Sequence, residues 1–180
     1  MKEQMLILVD KNDNVVGTAP RSECHSGLGK LHRAFNVFLL NKNGEVLLQH
    51  RKGIKLGGNR WDGSASSHVI VGENYQSAAE RCLEYELGIV FPGSLIDCGA
   101  FVYEEHYGKD SENEYCKLLV GEWNGGFTPN KEEMNEARFV PLDEVIRNLK
   151  TDSGHKKYTK WFHLSIEKFL QHPSTKYKKL

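Results

Sequence analysis

The sequence has no long apolar run. Nothing in it approaches the roughly 20 consecutive apolar residues that a helix needs to span a bilayer, so no membrane partner is expected. It has no surplus of either charge, because 24 Lys+Arg balance 24 Asp+Glu. Non-specific affinity for nucleic acid comes from excess basic charge, so no nucleic-acid partner is expected. It has no CxxC pair: Cys24, Cys82, Cys98 and Cys116 lie far apart. Met1-Lys2-Glu3-Gln4-Met5 shows no apolar signal region and no cleavage-site pattern. Reduced thiols in a cytoplasmic protein are therefore the expectation. There is no internal repeat and no low-complexity segment. What is present is 180 residues of ordinary globular composition, enough for one domain that buries its core without staples.

Leu6–Val9 and Val15–Thr18 are apolar segments around a turn-rich stretch and predict a β-hairpin. Arg21 to Lys30 reads as a polar loop. Ala34–Leu40 and Val46–Gln49 are strand-like and joined by Asn41-Lys42-Asn43-Gly44, whose Asn-Gly signals a hairpin turn. Arg51 to Asn59 is a basic, glycine-containing loop, and Trp61 to Val71 has no clear assignment. Ala78, Ala79, Cys82, Leu83 and Leu87 recur at helical spacing after Gly72-Glu73-Asn74, and Gly88 ends that helix. Leu95–Tyr103 and Tyr115–Trp123 predict a second strand pair bracketing a charged loop. Phe139-Val140 reads as a last strand, and Asp143–Leu149 and Tyr158–Leu170 as helices. Mostly strands with few helices points to α+β layers rather than alternating βαβ units. We place the single domain at residues 1–171 and a basic tail at 172–180.

The stretch Ser67 to Ile89 is the most informative. Ser67, Glu73, Arg81-Cys82-Leu83-Glu84-Tyr85-Glu86-Leu87-Gly88-Ile89 resembles the Nudix box, G-x5-E-x7-R-E-U-x-E-E-x-G-U with U aliphatic, in which helix carboxylates hold a divalent cation against a diphosphate. Ser67 stands where the pattern has Gly, and Cys82 and Tyr85 stand where it has carboxylates. The resemblance implies a Nudix fold, with mixed β-sheets packed against helices, in which the full carboxylate cluster of the usual Nudix hydrolysis is incomplete.

Glu112 and Glu114 are two apart, so in a strand they would point the same way. Together with His25, His32 and His68 they make a donor set suited to Mn²⁺, Zn²⁺ or Fe²⁺, although spacing alone does not bring the five together. In order along the chain, His25-x6-His32, Trp61-x6-His68, Tyr85-Glu86-Leu87-Gly88, Glu112-Asn113-Glu114 and Trp161 resemble the type 1 isopentenyl-diphosphate isomerases, an offshoot of the Nudix superfamily. That resemblance runs from about Leu8 to Trp161. It implies His25, His32, His68, Glu112 and Glu114 as ligands of a Mn²⁺ or Zn²⁺ site. It implies Glu86 as the carboxylate holding Mg²⁺ against the substrate diphosphate. Arg21, Arg51 and Lys55 would grip that diphosphate, Arg21 standing where the family has Lys. Glu114 would be the acid/base carboxylate, Tyr103 a supporting phenol, and Trp161 an indole over the reacting carbons. From the residues alone, Trp161 could also be plain core and Arg51 and Lys55 solvated loop charges.

The reaction so implied adds a proton to one carbon and removes one from another through a tertiary carbocation. A carboxyl near a metal can pass a proton, an indole face attracts the cation, and a dry site protects it. The family's catalytic cysteine, two residues before the box histidine, is here Ser66. A hydroxyl is a far weaker acid than a thiol, so proton exchange at that face should be slower or should need help from a water or Glu114. Two other readings stay open: a hydrolase of a prenyl or nucleoside diphosphate, and a non-catalytic diphosphate-binding module. The sequence leaves monomer or dimer undetermined.

Overall fold

The computed structural model describes residues 3–173. Nine strands form one curled, mixed sheet: β1 (Met5–Val9), β2 (Val15–Pro20), β3 (His32–Leu40), β4 (Glu45–Arg51), β5 (Trp61–Asp62), β6 (Ala65–His68), β7 (Ile96–Tyr107), β8 (Asp110–Glu122) and β9 (Met134–Pro141). Four helices accompany them: α1 (Arg21–His25), α2 (Tyr75–Leu87), α3 (Leu142–Thr151) and α4 (Lys160–Gln171). Among the described residues no helix is long and apolar enough to cross a membrane. Of the expected basic tail, residues 174–180 lie outside the described residues.

β3 is the axis of the sheet. One edge pairs in parallel with β8 along its whole length, from His32↔Glu114 to Leu40↔Glu122. The other edge is shared by β1 at Leu8↔His32, β6 from Ala34↔His68 to Val37↔Ala65, and β4 at Leu40↔Val46. Alternation along these strands feeds two cores. Phe35, Val37, Leu39, Leu47 and Leu119 pack with Ala78, Ala79, Leu83 and Leu87 of α2. Phe38, Val46, Leu48, Leu118 and Val120 pack with α3 and α4 through Val145, Ile146, Phe162, Ile166 and Phe169.

The structure corrects four sequence expectations. The loop expected over Arg21–Lys30 begins with α1, which follows Pro20 and buries Cys24 and His25. The Asn41–Gly44 turn forms, but β3 and β4 separate after Leu40↔Val46, because β4 pairs with β9 instead. The unassigned stretch Trp61–Val71 contains β5 and β6. The charged loop expected between Tyr103 and Tyr115 is instead strand on both sides, β7 and β8 continuing through Tyr107↔Asp110. That last difference places Glu112 and Glu114 in regular β register.

α2 is framed by its own sequence. The Asn74 side chain accepts from the Ser77 backbone N–H at 2.9 Å while the Ser77 hydroxyl accepts from the Asn74 N–H at 3.0 Å. At the other end Gly88 turns the chain with φ +64°, a left-handed conformation that glycine adopts without strain. Replacing Asn74 by Ala should cost about 1 kcal/mol. For a domain of this size that lowers Tm by about 2–4 °C. Asn74→Gly should cost only a few tenths of that, and thermal melts of the two variants check the pair.

Candidate functional site

The register of β3 with its neighbours builds the site. In a sheet, directly paired residues share a face and every second residue returns to it. His32, Ala34 and Asn36 of β3 therefore share a face with their partners: Glu114 and Cys116 of β8, and His68 and Ser66 of β6. Tyr103 of β7 joins them as the partner of Glu114. α1 brings His25 over the end of this group, and the first turn of α4 brings Trp161.

His25, His32, His68, Glu112 and Glu114 are all buried, and each offers a ligand atom within 4.8 Å of the others. His25 Nε2 lies 3.1 Å from both His68 Nε2 and Glu112 Oε2. His68 Nε2 lies 3.0 Å from Glu114 Oε1. His25 Nδ1 and His32 Nδ1 meet backbone carbonyls, those of Arg21 at 2.8 Å and Lys30 at 2.6 Å. Those contacts aim both Nε2 atoms inward, the arrangement expected of imidazole ligands.

The electrostatics fit a cation. Burial pushes His32 down to about 3 and His68 down to about 4, so both rings are neutral with a lone pair to offer. Burial alone would raise Glu112, but the facing imidazoles, His25 at 3.1 Å before His68, outweigh it and hold its carboxyl well below the usual range. Burial, reinforced by the neighbouring Glu112, drives Glu114 well above it. Most telling is His32 Nε2, fully buried with no hydrogen-bond partner and 3.7 Å from Glu114 Oε1. An orphaned buried acceptor carries a free-energy cost that a cation relieves. The donor set of three imidazoles and two carboxylates, gathered round one point, fits a divalent metal ion.

A cavity of about 640 Å³ opens beside this cluster. His25, His68, Glu112, Glu114, Tyr103 and Trp161 line it, and so do Ser66, Arg21, Arg51, Lys55 and Glu86. Glu114 Oε2 accepts from the Tyr103 hydroxyl at 2.5 Å. Glu86 stands apart from the five-residue cluster, on α2, where it accepts from Lys55 Nζ at 2.9 Å and Gln49 Nε2 at 2.9 Å. Burial would weaken the Lys55 ammonium, but Glu86 raises its pKa instead. Arg21 is exposed among the lining residues. Arg51 is not a solvated loop charge. It is buried against the Trp161 ring, 5.0 Å from guanidinium carbon to ring centre, and its terminal nitrogens hold Asp62, Ser66 and the Leu56 carbonyl. Its Nε is buried without a partner.

Sequence reasoning missed two residues here. Asp62 holds Arg51, Ser66 and Trp161 from behind the cavity wall. Its one available signal was being the sole acidic residue between Arg60 and Glu73. Glu133, from the segment before β9, accepts from Lys55 Nζ at 2.7 Å. It sits in a charged run and carried no signal.

The curled mixed sheet with α2 leading from the His68 strand is the architecture of the NUDIX domain, and the model of that domain matches residues 30–162. A crystal structure from Deinococcus radiodurans superposes with a TM-score of 0.71 over 92% of this chain and 99% of that one, at 18% identity, which speaks to the fold alone. Isopentenyl-diphosphate Delta-isomerase I of Camptotheca acuminata is 34% identical over 94% of this chain and 82% of its own length. Isopentenyl-diphosphate Delta-isomerase 2 of Photorhabdus laumondii is 33% identical over 89% of each. The chain belongs to the isopentenyl-diphosphate Delta-isomerase family of NUDIX proteins.

Proposed function

We propose that this protein converts isopentenyl diphosphate to dimethylallyl diphosphate by adding a proton at C4 and removing one from C2. The carrying observation is that one cavity unites a buried metal-type cluster, a Tyr103-bonded Glu114 and the Trp161 indole. A diphosphate hydrolase has no use for an indole beside its reacting atoms. It also needs several free carboxylates on the box helix. Here positions 82 and 85 on α2 are Cys and Tyr, while Glu73 lies before the helix, paired with Arg81 at 2.6 and 2.9 Å.

His25, His32, His68, Glu112 and Glu114 would hold a Mn²⁺ or Zn²⁺ ion, and Glu86 would hold Mg²⁺ with the substrate diphosphate. Bound cations supply positive charge that neutralises the diphosphate and organises the buried carboxylates. The chain does the rest. Lys55, Arg21 and Arg51 line the cavity that would take the diphosphate and would fix where the alkene lies. Glu114 gives its proton to C4, and Tyr103 keeps the carboxyl oriented. Trp161, 3% exposed, presents a dry aromatic face to the cation that results. This reading keeps the enzyme cytoplasmic and acting on a small soluble substrate, without a membrane or nucleic-acid partner.

The test is NMR of the protein with isopentenyl diphosphate, Mg²⁺ and Mn²⁺ in heavy water, alongside phosphate release. Deuterated dimethylallyl diphosphate without phosphate release is the expected result. Phosphate release without isomerisation would replace this reading with the hydrolase one.

A further inference from the structure

Asp62 ends β5, and its side chain is fully buried. Oδ1 accepts from the Gly63 backbone N–H at 2.7 Å and from Asn36 Nδ2 and Thr159 Oγ1 at 3.3 Å each. Oδ2 accepts from Ser66 Oγ at 2.6 Å, Trp161 Nε1 at 2.8 Å and Arg51 Nη1 at 3.0 Å. The three donors on Oδ2 all line the cavity, with Asp62 behind them. Six hydrogen bonds thus fix one carboxylate against the cavity wall from outside it.

This arrangement decides which way the Ser66 hydroxyl faces. An ionised carboxylate can only accept, so the Ser66 proton points at Asp62. Arg51 Nη1 donates to the same Ser66 oxygen at 2.8 Å and occupies one lone pair. What Ser66 has left for the cavity is its other lone pair, which accepts a proton and cannot give one. A lone hydroxyl is a feeble base. A hydroxyl that hands its own proton to a carboxylate as it takes another is a competent one.

We propose that Asp62 receives, through Ser66, the proton that the substrate loses, an assignment that rests on the isomerase reading above. In this step the C2–H bond of the tertiary cation breaks, and its electron pair becomes the new C=C bond. The proton goes to Ser66 Oγ, the original Ser66 O–H bond breaks, and that proton moves to Asp62 Oδ2. The proton delivered earlier by Glu114 to C4 balances the one removed. Because Asp62 acts through Ser66, it is a positioning residue. Trp161 and Arg51, on the same oxygen, keep that oxygen aimed at the relay.

The experiment compares Asp62→Asn, Ser66→Ala and the double variant with the unaltered protein, on isopentenyl diphosphate with Mg²⁺ and Mn²⁺ in heavy water. Asp62→Asn should lower kcat by about 100-fold or more while KM moves by less than about threefold. The unreacted substrate should still gain deuterium at its terminal methylene, because protonation by Glu114 and its reversal continue without the second step. Ser66→Ala should give the same pattern, and the double variant should be no slower than the slower single, since the two residues act as one unit. If Asp62→Asn does not fold, as judged by its melt and bound manganese, Ser66→Ala carries the exchange signature alone. A kcat for Asp62→Asn within about threefold of the unaltered protein, additive losses in the double variant, or loss of methylene exchange together with isomerisation would overturn the proposal. If the unaltered protein itself forms no dimethylallyl diphosphate, the isomerase reading falls and this assignment falls with it.

Discussion

Glutamine in place of Glu114 should reduce isomerisation by about 1000-fold or more, within the range for loss of a general acid, and should lower the metal bound after purification. The geometry concentrates both effects on one side chain, since Oε2 takes the Tyr103 hydroxyl and Oε1 sits 3.0 Å from His68 Nε2. Stability should separate the two roles. Burial and the neighbouring Glu112 raise the pKa of Glu114 above its ordinary 4.5, so the folded protein holds that proton more tightly than the unfolded chain does. Its contribution to the stability of metal-free protein is therefore fully present below pH 4.5 and is lost as pH rises through the elevated folded value. Glutamine cannot titrate and removes that loss. The metal-free variant at neutral pH should melt no lower than the metal-free parent, while the rise in Tm on adding Mn²⁺ or Zn²⁺ should shrink. Metal analysis, melts with and without ion, and turnover together check this. Unchanged turnover and unchanged metal content would remove Glu114 from the site.

Trp161 carries the second large effect. It belongs to a small cluster with Ala34, Tyr103 and Cys116, separate from the two main cores, so it is partly structural. Its neighbours nevertheless prepare it for more than packing. Arg51 lies over its ring, Asp62 accepts its indole N–H, and Gly57 leaves room for it. A Cβ on Gly57 would stand 2.5 Å from the ring, and its φ of +65° is one that glycine adopts without strain. Trp161→Phe keeps an aromatic face and loses the N–H. Trp161→Leu loses the face. If the ring stabilises a cation by about 2 kcal/mol, Trp161→Leu should lower kcat by about 30-fold or more with little change in KM. Trp161→Phe should fall in between. A leucine variant that folds and turns over within about threefold of the parent would assign Trp161 to packing alone.

Signals that act within one helical turn were legible, and long-range ones were absent. The ends of α2 were legible because Asn74, Ser77 and Gly88 act within one turn of themselves. The pairing of Glu112 with Glu114 was legible from the period of two, even though residues 104–114 looked like a loop. Charged side chains alternate there along a hairpin that runs past the main sheet, and composition alone hid the strand. The separation of β3 from β4 was not legible, because β6 takes the edge of β3 that β4 leaves and β4 pairs with β9, far along the chain. Asp62 was invisible for a related reason. A buried carboxylate is tolerated only where donors surround it, and its donors come from Asn36, Arg51, Ser66, Thr159 and Trp161, which only the folded chain brings together. The five-residue cluster was legible as a set through family resemblance. Its meeting point depends on the same non-local pairing.

That parallel joint between β3 and β8 also sets the order of events during folding. His32 and Glu114 are register partners, yet everything from β4 to β7 lies between them in the chain. Closing so long a loop has an entropic cost that must be met before the contact returns any stabilisation, which places this pairing late and makes folding slow for a domain of this size. Ligand atoms from α1, β3, β6 and β8 come within reach of one ion only after that closure. A bound cation therefore contributes nothing to the folding nucleus. Its effect falls on the reverse journey, where it lengthens the lifetime of the native state without hastening its arrival.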